Sequence, residues 1–141
     1  SRVTGLPAIA DDSGLEVDAL DGRPGVYSAR YAGEGATDAD NNAKLLRELA
    51  EVAEPRLARY RAVIAYVASA DDPAPLVAAG AWEGAISRTP RGEGGFGYDP
   101  LFLVGSGPLT AAELPPDDKN RVSHRAVALR ELVAKLRAAR V

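Results

Sequence analysis

Three short stretches of this chain gather the residue types that act on phosphates and heterocycles. Ala10-Asp11-Asp12-Ser13-Gly14 sets two carboxylates at the end of an apolar run, where a carboxylate can ligate Mg²⁺ or take a proton from an attacking water. Neighbouring strand residues point to opposite faces, so Asp11 and Asp12 are expected to serve different surfaces. Gly92 to Asp99 is the most glycine-dense stretch, with Phe96 offering a flat face to a heterocycle while backbone amides approach closely. It opens no helix and is therefore neither a dinucleotide fingerprint nor a phosphate-binding P-loop. Asp118 to Arg125 collects Lys119, His124 and Arg125 around a predicted helix start. Cations are disfavoured at that end of a helix dipole, which points to an anionic or acceptor-rich partner. Each stretch has a plainer use as well: a solvated acidic turn, a mobile hairpin loop with Phe96 in the core, or ordinary surface charge.

Composition removes other chemistries. The chain has 141 residues, no cysteine and one histidine, so thiolate catalysis, disulfides and sites with two imidazole ligands are excluded. A divalent metal here would be held by oxygen ligands, as Mg²⁺ is. The net charge of −3 argues against a general grip on nucleic acid. No apolar run approaches the roughly 18 residues that a membrane-spanning helix needs. Lysine occurs only at positions 44, 119 and 135 against a background rich in arginine, which draws attention to Lys119.

The elements that must position these residues follow from pattern. Pro7 to Asp11 reads as a short strand with a turn at Ser13-Gly14, and Leu15 to Leu20 as a second extended segment. Thr37 and Asp40 form a capping box for a helix expected to bury Ala39, Ala43, Leu46 and Ala50 and to end near Pro55. Tyr60 to Ser69 is the strongest strand signal and reads as central and apolar on both faces. Leu76 to Trp82 returns as its antiparallel neighbour, followed by a weak strand at Ala85 to Ser87 and an apolar segment from Leu101 to Val104. Ser123 caps a last helix expected to bury Ala126, Leu129, Val133 and Leu136. This order describes an α/β domain spanning residues 1–141, with alanine rather than aromatic side chains filling much of the core.

Taken together, PAIADDSGLEVDAL, GRPGVYSARYAG, GEGGFGYDPLF, TAAELPPDDK and SHRAVAL resemble, in that order, a family of pyrophosphatases acting on non-standard purine nucleoside triphosphates. These are the XTP/dITP diphosphatases or inosine triphosphate pyrophosphatases. The resemblance covers essentially the whole chain. It implies an α/β fold on an elongated mixed β-sheet flanked by helices, a homodimer, and cytoplasmic cleavage of ITP, dITP and XTP to monophosphate and pyrophosphate with Mg²⁺. Carried onto this chain, it makes Asp12 the catalytic carboxylate and metal ligand, and Ser13 a substrate contact. Phe96, Gly97, Tyr98 and Asp99 become the substrate loop, Lys119 a further contact, and His124 and Arg125 the residues that read the base. Lys119, Arg125 and a protonated His124 would donate to O6 of hypoxanthine or xanthine, with Phe96 stacked on the ring. The family's opening strand and phosphate-binding loop, carrying a threonine or serine, an asparagine and a lysine, would precede Ser1. The chain is therefore expected to begin after that segment, with apolar sheet edges exposed and low stability in isolation. A nucleotide-binding module without catalysis is the alternative reading.

Overall fold

The β-branched run after Tyr60 does form the strand on which the sheet is built. The computed structural model describes residues 5–105 and 107–139; the expectations that rest on Ser1 to Thr4 lie outside them. The strands are β1 (Ala8–Val17), β2 (Pro24–Gly25), β3 (Leu57–Val67), β4 (Leu76–Ile86) and β5 (Phe102–Val104). The helices are α1 (Asp38–Glu48), α2 (Pro116–Val122) and α3 (His124–Ala139). Sheet order is β2-β1-β3-β4-β5, with β3 central as expected. All four strand pairings among the described residues are antiparallel, so the parallel part of the expected mixed sheet is not among them.

Strand lengths differ from the pattern in an instructive way. β1 runs straight through Ser13-Gly14 instead of turning, because each residue from Ala8 to Val17 has a partner on β3. The weak strand at Ala85-Ile86 is the end of β4. β3 carries apolar residues on both faces but is buried on one only: Ala58, Tyr60, Ala62 and Ile64 are covered, while Leu57 and Val63 on the other face are exposed. Arg59 and Arg61 share that other face; Arg59 lies in register with Glu16 and Glu83, and Arg61 reaches Glu16 diagonally. Arg59 bonds Asp18 at 2.9 Å and Glu83 at 3.0 Å, and Arg61 bonds Glu16 at 2.7 Å. Opposite charges facing each other across a sheet support that register.

Two apolar clusters occupy the buried face. One gathers Leu15, Val17, Leu45, Leu49, Tyr60, Trp82, Ile86 and Phe102; the other joins Ala62, Ile64 and Ala78 to Ala128 and Leu132 of α3. Both helices are rotated from their expected faces. α1 buries Asn41, Leu45 and Leu49 and leaves Ala39 and Ala43 exposed, since burying a leucine gains about 1.5–3 kcal/mol and an alanine far less. α3 buries Ala128 and Leu132 while Leu129 and Val133 face outward. The caps are as expected: Thr37 Oγ1 accepts from Asp40 N at 3.1 Å, and Ser123 Oγ from Ala126 N at 3.2 Å.

Gly80 explains how α3 comes so close to the sheet. A Cβ at that position would meet His124 O and Ala128 N, both backbone atoms, well inside van der Waals contact. The start of α3, and with it His124, is therefore seated by a missing side chain on β4. Gly80→Ala should cost about 1–3 kcal/mol as overpacking does, and lower the thermal midpoint by roughly 3–12 °C. Calorimetry that found the midpoint unchanged would contradict this packing account.

Candidate functional site

Beside Leu15, Tyr60 and Tyr98 of the first cluster, a cavity of about 640 Å³ opens on the buried face of the sheet, within the range of small-molecule sites. Ser13 of β1, Tyr60 of β3, the loop 96–99, Lys119 of α2, and His124 and Arg125 of α3 all line it. Its most exposed large side chain is Phe96, 61% accessible. Lys119 Nζ lies 5.0 Å from the centre of the Phe96 ring and the Arg125 guanidinium carbon 5.5 Å from it. An aromatic face flanked by two cations suits a flat, acceptor-bearing heterocycle.

Asp99 holds this arrangement from beneath. Its carboxylate is buried and accepts from Tyr60 Oη at 2.9 Å, Phe96 N at 3.1 Å and Lys119 Nζ at 2.5 Å. Burial and the Asp99 charge push the Tyr60 hydroxyl well above its ordinary pKa, so it remains a donor. Gly95 makes room for the pair, because a side chain there would run into the Asp99 carboxylate. Tyr98 is buried and donates to Ser28 O at 2.6 Å. Tyr98 and Asp99 therefore hold the loop, and Phe96 is the member of the expected substrate loop that presents its side chain.

His124 is not the protonated donor expected of it. Burial, then the neighbouring Arg125, lower its pKa to about 4, with Lys119 adding to the effect and Asp99 opposing it. The ring stacks on Tyr60 with centroids 4.8 Å apart, and Nε2 lies 2.5 Å from Ser13 Oγ. Ser13 Oγ gives its proton to Arg61 O at 3.2 Å, so Nε2–H is the donor and Nδ1 the lone-pair nitrogen. Nδ1 is buried without a protein partner. Neutral His124 thus ties α3 to β1 inside the cavity wall.

The carboxylates of β1 separate as alternation requires, and neither lines the cavity. Asp11 lies 3.5 Å from Arg125 Nε, while Asp12 is exposed in a shallow depression on the opposite face beside Arg61 and Glu16. The two depressions share Ser13 and Gly14. Beyond its pairing with β2 at Leu15 and Glu16, the outer edge of β1 has no strand partner among the described residues. The path from cavity to Asp12 therefore crosses that edge. No group of three His, Asp or Glu side chains converges among the described residues. Magnesium needs only one or two protein carboxylates, its other positions going to water and substrate phosphates. Asp12 fits that requirement: Oδ1 accepts from Ser13 N at 2.9 Å and Oδ2 is left for a cation.

Comparison with known proteins places this arrangement in a family. Residues 1–135 match the model of the Ham1 family. The chain belongs to the Ham1 family. A dITP/XTP pyrophosphatase of Methylococcus capsulatus is 60% identical over 98% of this chain and 69% of its own length. One from Escherichia coli O157:H7 is 56% identical over 97% of this chain and 70% of its own. A Ham1 protein from Coxiella burnetii superposes with a TM-score of 0.90 at 52% identity, covering 97% of this chain and 70% of that one. The α/β fold is thus that of Ham1 proteins.

Of the residues expected at the site, Ser13, Phe96, Gly97, Tyr98, Asp99, Lys119, His124 and Arg125 line one cavity in this Ham1 chain, and Asp12 lies on the other face of the sheet. Lys119 sits on α2 rather than before a helix, so its charge meets the favourable end of that helix dipole. Tyr60, hidden in the strand pattern, and Asp38 and Asn42, hidden in α1, were not legible as site residues. Because the chain has one histidine, its ring protons report the wall directly by NMR. They should stay at the neutral shift from pH 8 to 5 and titrate near 4. The depressed pKa contributes stability that is complete above 6.5, the ordinary value, and lost as pH falls through about 4. Titration near 6.5 would refute the buried neutral ring.

Proposed function

We propose that this chain hydrolyses inosine and xanthine nucleoside triphosphates to the monophosphate and pyrophosphate. The observation that carries the reading is the Phe96 face set between Lys119 and Arg125 over a buried Asp99. Kinship with dITP/XTP pyrophosphatases supports it. In this reading the activity belongs to residues 1–141 as one domain, working as a homodimer on the cytoplasmic nucleotide pool.

The purine lies on Phe96 with O6 toward Lys119 and Arg125. Hypoxanthine and xanthine present an acceptor there, whereas adenine presents an amino donor. Adenine would leave both cationic donors facing another donor; each buried partner lost costs about 1–3 kcal/mol, and more when charged. Lys119 retains two further protons after pairing with Asp99, so it can serve both. Ser13 and His124 close the wall against the base, and His124 acts there as a neutral group. The phosphates cross the edge of β1 at Ser13-Gly14 toward Asp12. Water bonds to the α-phosphorus as the bridging oxygen to the β-phosphorus departs with pyrophosphate, and the water's proton is released. Asp12 would hold Mg²⁺, which when bound supplies charge neutralisation on the phosphates. Asp12 orients the attacking water and accepts its proton.

The test is product analysis with ITP, XTP and ATP in the presence of Mg²⁺. Pyrophosphate, not orthophosphate, should form from ITP and XTP and hardly at all from ATP. Asp12→Asn should lower turnover by roughly 10²-fold or more while leaving ITP affinity largely intact. Tight inosine-nucleotide binding with no pyrophosphate release would favour a binding module instead, and near-normal turnover by Asp12→Asn would remove that residue from the reaction.

A further inference from the structure

We propose that Asp38 and Asn42 of α1 are positioning residues that fix the angle of Phe96 by gripping the neighbouring Gly97 from both sides. The proposal rests on the nucleotide reading of the cavity. Gly97 N donates to Asp38 Oδ2 at 2.9 Å, and Asn42 Nδ2 donates to Gly97 O at 3.0 Å. Residues four apart on a helix lie one above the other, so one face of α1 meets both polar groups of a single loop residue.

Neither side chain caps the helix or lies in its core stripe, although the Asp38 charge favours the helix dipole. Its N-terminus is already capped by Thr37 and Asp40, and its core stripe is Asn41, Leu45 and Leu49. Asn41 has a separate task, accepting from Ala32 N at 2.8 Å and donating to Ala29 O at 3.0 Å. Asn42 also carries a cost. Its Oδ1 is buried with no hydrogen-bond partner in the protein, an arrangement native proteins rarely keep without a use. Turning the amide over would set Oδ1 against the Gly97 carbonyl, so the bond to Gly97 dictates the orientation that leaves Oδ1 unpaired.

The loop explains why such a grip has value. Three of the four residues from Gly94 to Gly97 are glycine, the residue that loses most conformational freedom when fixed. Tyr98 and Asp99 anchor the loop on its C-terminal side. Gly94 N donates to Ala112 O at 3.3 Å and Phe96 N to Asp99 Oδ2 at 3.1 Å, so the peptide groups of Gly97, on the far side of Phe96, depend on Asp38 and Asn42 for their hydrogen bonds. Fixing Gly97 before ligand arrives removes an ordering cost from binding, which is preorganisation. The effect belongs to base affinity and not to the chemistry at phosphorus.

The test measures KM and kcat for ITP, and amide hydrogen exchange over residues 94–99, in Asp38→Ala, Asp38→Asn and Asn42→Ala. Each is made in the full chain and again in a Phe96→Ala background. Either alanine variant should raise KM about three- to tenfold with kcat within about twofold, and speed exchange at Phe96 and Gly97. Asp38→Asn keeps an acceptor for Gly97 N and should restore most of the loss. In the Phe96→Ala background the KM effect should vanish, because the grip works through that ring. Faster exchange with unchanged KM, unchanged exchange, or an equal KM effect without Phe96 would each overturn the proposal. If the unsubstituted chain bound no ITP, the nucleotide reading would fall and the proposal with it; the exchange data would still show whether α1 holds the loop.

Discussion

A carboxylate buried as completely as that of Asp99 has to be surrounded by donors, and the rest of the site depends on where those donors come from. Tyr60 belongs to the central strand, the Phe96 amide to the glycine-rich loop, and Lys119 to α2. An unpaired buried charge would cost several kcal/mol, so the three elements are held to one point. The loop cannot swing away, nor α2 slide, without leaving Asp99 exposed to that cost. Tying the Phe96 amide and the Lys119 cation to the same carboxylate oxygen is how the fold presents a flat face and a donor together.

The sheet then divides the labour. Its buried face carries the cavity, walled by neutral His124 stacked on Tyr60 and bonded to Ser13. Its other face carries Asp12 among the charged partners of Arg59 and Arg61. A triphosphate with a purine at one end matches this separation: the apolar, donor-lined side suits the base, and the exposed carboxylate suits the hydrated metal–phosphate end. Gly80 contributes from below by letting α3 settle far enough to bring His124 against Tyr60.

Much of this was legible in the sequence, and the failures have physical causes. The central strand, its antiparallel partner and both helix caps follow from local pattern, because β-branched runs and capping boxes act over a few residues. Alternation correctly sent Asp11 and Asp12 to opposite faces. Which face held the cavity depended on α3, far away in the chain. Both helices were phased wrongly because alanine matches an apolar stripe in pattern but gains little when buried, so Leu45 and Leu132 won. α2 is seven residues long, too short to show a period, so the pattern places Lys119 before a helix start and not within a helix. The charge on His124 could not be read from type or spacing, since it follows from burial beside Arg125. Tyr60, Asp38 and Asn42 gave no signal because their partners lie 39 or more residues away.

The central claim is that the Asp99 carboxylate organises the base-binding face through its charge as well as its shape. Asp99→Asn keeps an acceptor for Tyr60 or Phe96 but removes the charge that holds Lys119. Isothermal titration of ITP into this variant, with its thermal midpoint measured alongside, tests the claim most directly. A hydrogen bond to a charged group contributes about 1.5–3 kcal/mol, so ITP affinity should fall roughly 10- to 100-fold in a protein that remains folded. A folded Asp99→Asn protein that bound ITP with unchanged affinity would contradict the account.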